Sequence, residues 1–451
     1  HSWHLAQRER ARPPARKAPA KMTRAKAIVI TRHGRRSRLD KNPHHLRESS
    51  DPPLSAQALP EIAALAEALR SRYLEPSCAA NGACLDTGSR GVRAESSGLA
   101  RTLGTAEALL GRLFPNRSLP TPVYSRAEHD DTLLRAYNKC PAHAARLTEW
   151  YGSGEFLRQE TVSLAVRGRV ADALRALEVD PRAEAVPLHM FWNEFDALDV
   201  AIRASNASAV PSDVEGVLAE AGGLAAWVEA RKFGASIEGG ACGSALLREV
   251  AAAAVDVGGP DLHVFSAHYP TMLCALTAVG VSVSSGESAD SWLGEALLPT
   301  GSALAFEVVP PEAAGAAAAS AAVRLLYWDG SEWRLIPVPC SRSEARLASC
   351  PLDAFVRHVE VSLPDGAAWC RACDNDSLAR CRLAAFEAIT TQECAADAAA
   401  SAAVAVICLL SILLFGACLV IGWLIRSAKA PRQGRAVVSR MTFPGSGLQA
   451  A

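Results

Sequence analysis

The chain has no net charge: 47 Lys and Arg residues balance 47 Asp and Glu. A zero balance gives no hint of nucleic-acid binding, and no nucleic acid is expected as a partner. No segment repeats another, so repeat architectures are excluded as well. The first 26 residues lack the apolar stretch of a signal peptide, are rich in Arg, Lys and Pro, and begin with His1. They read as the disordered leader of a truncated or mis-started chain. The second half of a zinc motif is missing too. Cys370 and Cys373 have the Cys-x-x-Cys spacing, but no further Cys-x-x-Cys or His-x-x-x-His follows. Disulfides are the stronger reading of the cluster Cys370, Cys373, Cys381 and Cys394. With 49% hydrophobic and 21% charged residues over 451 positions, wholesale disorder is excluded, and the chain suffices for one large domain with an insertion or for two domains.

Among the features present, a membrane signature is the clearest. Ala403 to Ile425 contains no charge, and as a helix it would span roughly 35 Å against a hydrocarbon core of about 30 Å. Arg426, Lys429, Arg432, Arg435 and Arg440 follow it, whereas Glu393 and Asp397 precede it. The positive-inside rule then makes 426–451 a cytosolic tail and everything before the span lumenal or extracellular. Eleven of the 13 cysteines lie on that side, as do the sequons that begin at Asn116, Asn206 and Asn375. An oxidising, glycosylating compartment is the expectation.

The chain is organised around Ala27-Ile28-Val29-Ile30-Thr31-Arg32-His33-Gly34-Arg35-Arg36. Apolar and β-branched residues that run into a tight turn read as a buried strand. Its carboxyl end, where an open α/β sheet holds ligands, would present His33 between Arg32 and Arg36. An imidazole nitrogen can attack phosphorus and hold the group as a phosphohistidine, provided that fixed cations neutralise the phosphoryl oxygens. Arginine suits that task through its planar fork and permanent charge. Gly34 is expected to permit the sharp turn.

Downstream, a helix is expected over 55–73, and another opens at Ser96-Ser97 with Arg101 in its first turn, where free N–H groups favour phosphate. Helical patterns over 142–151, 166–177, 191–204, 213–232 and 245–255 form an inserted α-subdomain between strands at 123–125 and 262–267. The second of these strands ends at His268-Tyr269-Pro270, so a second histidine reaches a carboxyl end. A strand at 303–309 and a hairpin around Asp329-Gly330 follow. Cys78 with Cys84, and Cys340 with Cys350, would close small loops, and 360–401 reads as a Cys-containing stalk.

Taken in order, several of these pieces resemble the histidine acid phosphatase family over 27–359. They are Arg32-His33-Gly34-x-Arg36, Arg101-Thr102, Asp131-Thr132-Leu133-Leu134 leading to Cys140-Pro141, Ser266-Ala267-His268, and Pro299 through Phe306-Glu307. With the C-terminal span (402–425), the chain looks most like the membrane-bound acid phosphatases of trypanosomatid protozoa, which cycle through endosomes and lysosomes. The resemblance implies an α/β fold, a central mixed sheet flanked by helices with an α-helical insert at about 131–255 roofing the cleft. It also implies a phosphomonoester substrate and neither metal nor cofactor. His33 would be the nucleophile, with Arg32, Arg36 and Arg101 clamping the phosphate and His268 as the remaining contact.

One departure bears on activity. The family has His-Asp where this chain has His268-Tyr269, and the Asp is the acid that protonates the leaving oxygen. Losing a positioned acid typically costs about 10² to 10⁴ in rate. Tyr269 could itself donate, and Glu95 and Asp131 are candidate replacements. Position 38 is also Arg where the family usually has Pro, and Ala58 stands where it usually has Gly. Two readings result: a lumenal acid phosphatase with impaired turnover, or an inactive phosphatase fold that binds phosphate esters or serves in trafficking. A phosphoglycerate-mutase-like transferase, suggested by the stretch from Ser96 to Arg101, is disfavoured behind a membrane anchor.

Overall fold

The computed structural model describes residues 24–39, 51–76, 78, 83–88, 91–204, 212–234, 240–281, 297–311, 320–339, 346–386 and 402–429. In chain order the first elements are β1 (Lys26–Arg32), α1 (Ala58–Tyr73), β2 (Val92–Ser96), α2 (Ala100–Leu113) and β3 (Val123–Ser125). The insert follows as α3 (Pro141–Tyr151), α4 (Gly154–Val162), α5 (Leu164–Ala176), α6 (Phe191–Ala204), α7 (Ser212–Gly234) and α8 (Ala241–Val255). Next come β4 (Leu262–Ala267), α9 (Tyr269–Ala278), β5 (Ala303–Val309), β6 (Ala322–Trp328), β7 (Trp333–Ile336), β8 (Val338–Pro339), β9 (Arg346–Leu347) and β10 (Cys350–Pro351). The chain continues with α10 (Leu352–Ser362) and α11 (Gly366–Ala372), and α12 (Ala402–Lys429) belongs to a separate unit that begins at Arg382.

All seven residues of β1 are buried. Ile28 and Ile30 enter one apolar layer, and Ala27 and Val29 enter the other. That alternation is what a strand covered on both faces requires. The sheet order is β10-β6-β5-β1-β4-β2-β3, with β7 on the outer side of β6. β1, β4, β2 and β3 run parallel, while β5, β6, β7 and β10 pair antiparallel. The expected mixed sheet is therefore present, with β1 at the boundary between its two halves.

α1 and α2 cover one face through Ile62, Leu65, Leu69 and Leu109, and α8, α9 and α10 cover the other through Leu247, Leu273 and Phe355. The insert has a core of its own, built from α4 to α7 around Phe156, Leu174, Phe191, Leu198 and Val228. α8 lay within the expected insert, yet it belongs to the sheet layer, because Leu246, Leu247 and Val250 pack there with α9. The small helices α4, α10 and α11 were absent from the sequence reading.

The expected stalk needs correction. Its first part folds back onto the domain, which extends to Cys381. Trp369 is 1% exposed, and its indole N–H donates to the Ala241 carbonyl at 2.9 Å. Cys373 is bonded to Cys140 and Cys370 to Cys381, so these cysteines form disulfides and hold no zinc. Cys78–Cys84 and Cys242–Cys274 are the other two pairs among the described residues. Cys340 and Cys394 lie outside the described residues, so a Cys340–Cys350 loop is not seen. The Asn375 side chain is buried and donates to the Lys139 carbonyl at 2.7 Å, which closes that sequon in the folded chain. Asn116 is exposed, and Asn206 lies outside the described residues.

The apolar C-terminal segment forms the 28-residue α12. Leu410, Ile412, Leu413, Leu414, Leu419, Ile421, Trp423 and Leu424 are all exposed. Side chains are described only for its middle, and among the described residues no helix is long and apolar enough to cross a membrane.

Trp369 gives the fold its most direct test. Trp369→Ala should destabilise the domain by about 3–5 kcal/mol, the usual cost of emptying a buried aromatic site. Urea denaturation measures it, and a loss below about 1 kcal/mol would mean that the segment is the loose stalk expected from the sequence.

Candidate active site

Register brings the two histidines together. β1 and β4 pair in parallel with Arg32 opposite Ala267. One further ladder bond, from His33 N–H to the Ala267 carbonyl at 3.0 Å, carries the pairing past the strand end. His268, the residue after β4, stands at the N-cap position of α9. The two rings lie 5.4 Å apart, centroid to centroid, in edge-to-face contact.

His33 Nδ1 lies 2.8 Å from the Gly34 carbonyl. A carbonyl only accepts, so this network assigns the proton to Nδ1 and leaves the lone pair on Nε2. Burial first, then Arg32, Arg101 and Arg36, hold the His33 pKa well below its ordinary value. The imidazole is thus kept neutral and nucleophilic under acid conditions. Gly34 serves by close approach: a Cβ there would come within 2.8 Å of the Ala58 Cβ on α1. Its φ is not positive, so the turn itself does not demand glycine as had been expected.

All three expected arginines are buried. Arg36 makes a two-pronged bond to Asp196 of α6, Nη1–Oδ2 at 2.9 Å and Nη2–Oδ1 at 3.0 Å. Arg101 donates to Asp51 at 2.8 Å, and burial lowers its pKa to about 10. Arg32 donates to the Leu298 carbonyl and stacks over the Tyr269 ring, 5.1 Å from its centroid. The Nε–H groups of all three find no acceptor among the described residues. A buried donor left unpaired costs about 1–3 kcal/mol, and a phosphoryl oxygen is an acceptor that would relieve the cost.

His268 is oriented from α2. Its Nε2 lies 2.9 Å from Ser97 Oγ, which lies 2.8 Å from Thr102 Oγ1. Thr102 Oγ1 is 2.8 Å from both the Ser97 and Leu99 carbonyls, so its single proton goes to them. Ser97 then donates to Thr102 and accepts from His268 Nε2–H. The short hydroxyl chain thereby assigns the tautomer of the second histidine.

Tyr269, in the place of the expected acid, is 3% exposed and donates its hydroxyl proton to Glu229 Oε2 on α7. Glu229 Oε1 is ion-paired with Lys232 at 2.8 Å. Burial, and next the Glu229 charge, push the Tyr269 pKa well above its ordinary value. The other two candidate acids lie elsewhere. Glu95 is held by Arg93 on β2, at 2.6 Å. Asp131 Oδ1 accepts the Leu133 and Leu134 amides at 3.1 and 2.8 Å. Neither lines the cavity that holds His33. That cavity, about 400 Å³, has Arg32, His33, Arg36, Arg101, His268 and Tyr269 in its floor and Tyr151, Trp192, Glu229, Lys232 and Phe233 from the insert in its roof. Sequence reasoning found the floor and missed Asp196, Glu229 and Lys232, which carry no local signal.

The neutral buried His33 has a thermodynamic consequence. Below the ordinary histidine pKa of about 6.5 the unfolded chain binds a proton that the folded chain refuses, so stability falls as pH drops. His143 and His263, whose pKa values burial lowers to about 4, act with the same sign. His33→Gln should therefore lose less stability than wild type between about pH 7 and about pH 5 in urea denaturation. Equal losses would contradict a neutral imidazole.

No protein-family model matches the chain, and no curated protein sequence does. Solved structures do match. The phytase from Citrobacter braakii superposes with a TM-score of 0.54 at 14% identity, covering 78% of this chain and 99% of that one. The apo form of Hafnia alvei phytase gives 0.50 at 15% identity, covering 79% and 99%. The phytase from D. castellii gives 0.50 at 11% identity, covering 78% and 82%. Together with the sheet order and the paired strand-end histidines, these likenesses identify the architecture: the chain has the histidine acid phosphatase fold.

Proposed function

We propose that this chain hydrolyses phosphomonoesters through a phosphohistidine formed on His33. One observation carries the reading: a neutral imidazole whose Nε2 lone pair is unprotonated lies buried among three guanidiniums, each with an unpaired Nε–H. Nε2 attacks phosphorus as the bond to the ester oxygen breaks, and the departing oxygen takes a proton. Water then attacks the phosphohistidine, and inorganic phosphate leaves. Arg32, Arg36 and Arg101 neutralise the phosphoryl oxygens throughout, and removing one such donor typically costs about 10² to 10³ in rate. The fold shared with phytases supports the same assignment.

A second reading, phosphate-ester binding without turnover, rests on Tyr269 in the acid position. Phosphate release from an aryl phosphate between about pH 4 and about pH 7 separates the two. Wild type should turn over, and His33→Ala should lose more than about 10³-fold. A silent wild type that gains activity on Tyr269→Asp would establish the binding reading instead.

We further propose that α12 crosses a membrane, with the phosphatase domain on the lumenal or extracellular side and the basic tail in the cytosol. The exposure of large apolar side chains along the described middle of α12 supports this, because so apolar a segment suits a hydrocarbon surrounding. The four disulfides suit an oxidising compartment. An endosomal or lysosomal site is the specific expectation. Expression through a secretory pathway should then give a glycosidase-sensitive mass that shifts on Asn116→Gln and not on Asn375→Gln. A mass that is insensitive to glycosidase would count against lumenal exposure.

A further inference from the structure

The strand-end histidines and the arginines leave one chemical need unmet, a proton for the departing oxygen. The Tyr269 ring forms the cavity wall beside Arg32, and its hydroxyl points to Glu229 on the roof helix α7. Glu229 is 1% exposed and is held from its other side by Lys232. A buried carboxylate reached through a hydroxyl on the wall of this cavity is placed to exchange a proton with it. Charged and titratable groups of the cavity face the pair. Arg32 and Tyr137 act on Tyr269, and Lys232, itself beside Tyr151, acts on Glu229.

We propose that Glu229 and Tyr269 form a two-step proton relay that replaces the missing carboxylic acid, an inference that rests on the phosphatase reading above. Tyr269 is the catalytic residue, because its hydroxyl meets the leaving oxygen, and Glu229 is the positioning residue that supplies it. In the resting chain Tyr269 donates to the Glu229 carboxylate. A bound phosphate ester adds negative charge to the cavity and favours proton uptake from solvent by Glu229. With Glu229 protonated the hydrogen bond reverses: Glu229 O–H donates to the Tyr269 oxygen, and the Tyr269 proton is free to point at the ester oxygen. As the phosphorus–oxygen bond breaks, its electron pair takes the Tyr269 proton, and Tyr269 takes the proton of Glu229. The negative charge ends on Glu229 beside Lys232 rather than on the phenol. In the second half-reaction the attacking water returns a proton along the same path. Routing the charge to Glu229 removes the objection to tyrosine as an acid, since no tyrosinate accumulates.

The test compares two probes that differ in their need for protonation, 4-nitrophenyl phosphate and glycerol phosphate, in the full-length protein. Glu229→Gln and Tyr269→Phe should each reduce turnover of glycerol phosphate by about 10² to 10⁴ and turnover of the aryl ester by less than about tenfold. His33→Ala should abolish both. Equal losses on the two probes, or no loss on the alkyl ester, would overturn the relay while leaving the phosphatase reading intact. A wild type that cleaves neither probe would remove the phosphatase reading and the relay with it. If Glu229→Gln fails to fold, Tyr269→Phe, which keeps the buried ring, decides alone. The alkaline limb of the alkyl pH profile supplies a further readout: Glu229 must be protonated for the relay, so that limb should flatten in Glu229→Gln, which a purely structural role would not produce.

Discussion

Three guanidiniums buried around one imidazole set the terms for the rest of this structure. Taking an ion out of water costs several kcal/mol even after relaxation, and here three like charges share one cavity. Each is held by a partner drawn from a different part of the chain. Arg36 is matched by Asp196 in the insert, Arg101 by Asp51 in the segment before α1, and Arg32 by the carbonyl of Leu298 and the ring of Tyr269. The set of partners is therefore complete only with the insert in place. Burial first, and then the charge of these arginines, keep His33 neutral, since an imidazolium would be a fourth cation in the same space.

Labour is divided between the layers. The sheet places His33 and His268 by backbone pairing alone, through a ladder that continues one residue beyond β1. The insert contributes carboxylates and aromatic walls from α6 and α7, which have an apolar core separate from that of the sheet. Most of the buried core of α4 to α7 is separate from the layer that supports β1, and Trp192 of α6 and Phe233 of α7 are the core residues that join the roof to that layer.

Sequence legibility followed the same division. β1, β4, β5 and α6 lie where apolar patterning puts them, because a strand buried on both faces leaves a continuous apolar run and an amphipathic helix leaves a periodic one. The floor residues were legible because each sits at the end of such an element. Asp196, Glu229 and Lys232 were not, since they look like ordinary polar positions on helices and acquire meaning only when α6 and α7 close over the floor. The segment after 360 misled for another reason. Its polarity and cysteines suggest a tether, and only Trp369 hints at a side chain that needs burial. Gly34 was singled out correctly but for the wrong property, since steric closeness to Ala58 leaves no mark in the residues between them.

The Cys140–Cys373 bond joins the start of the insert to the end of α11, 233 positions apart. It encloses the insert, β4, β5 and the β6–β7 hairpin within one covalent ring. A protease that cuts anywhere in that ring opens it without dividing the molecule. The fragments stay tethered and packed, and His33, outside the ring on the amino-terminal side, keeps its connection to His268 inside it. This chain would thus age by accumulating nicks that only a reductant reveals.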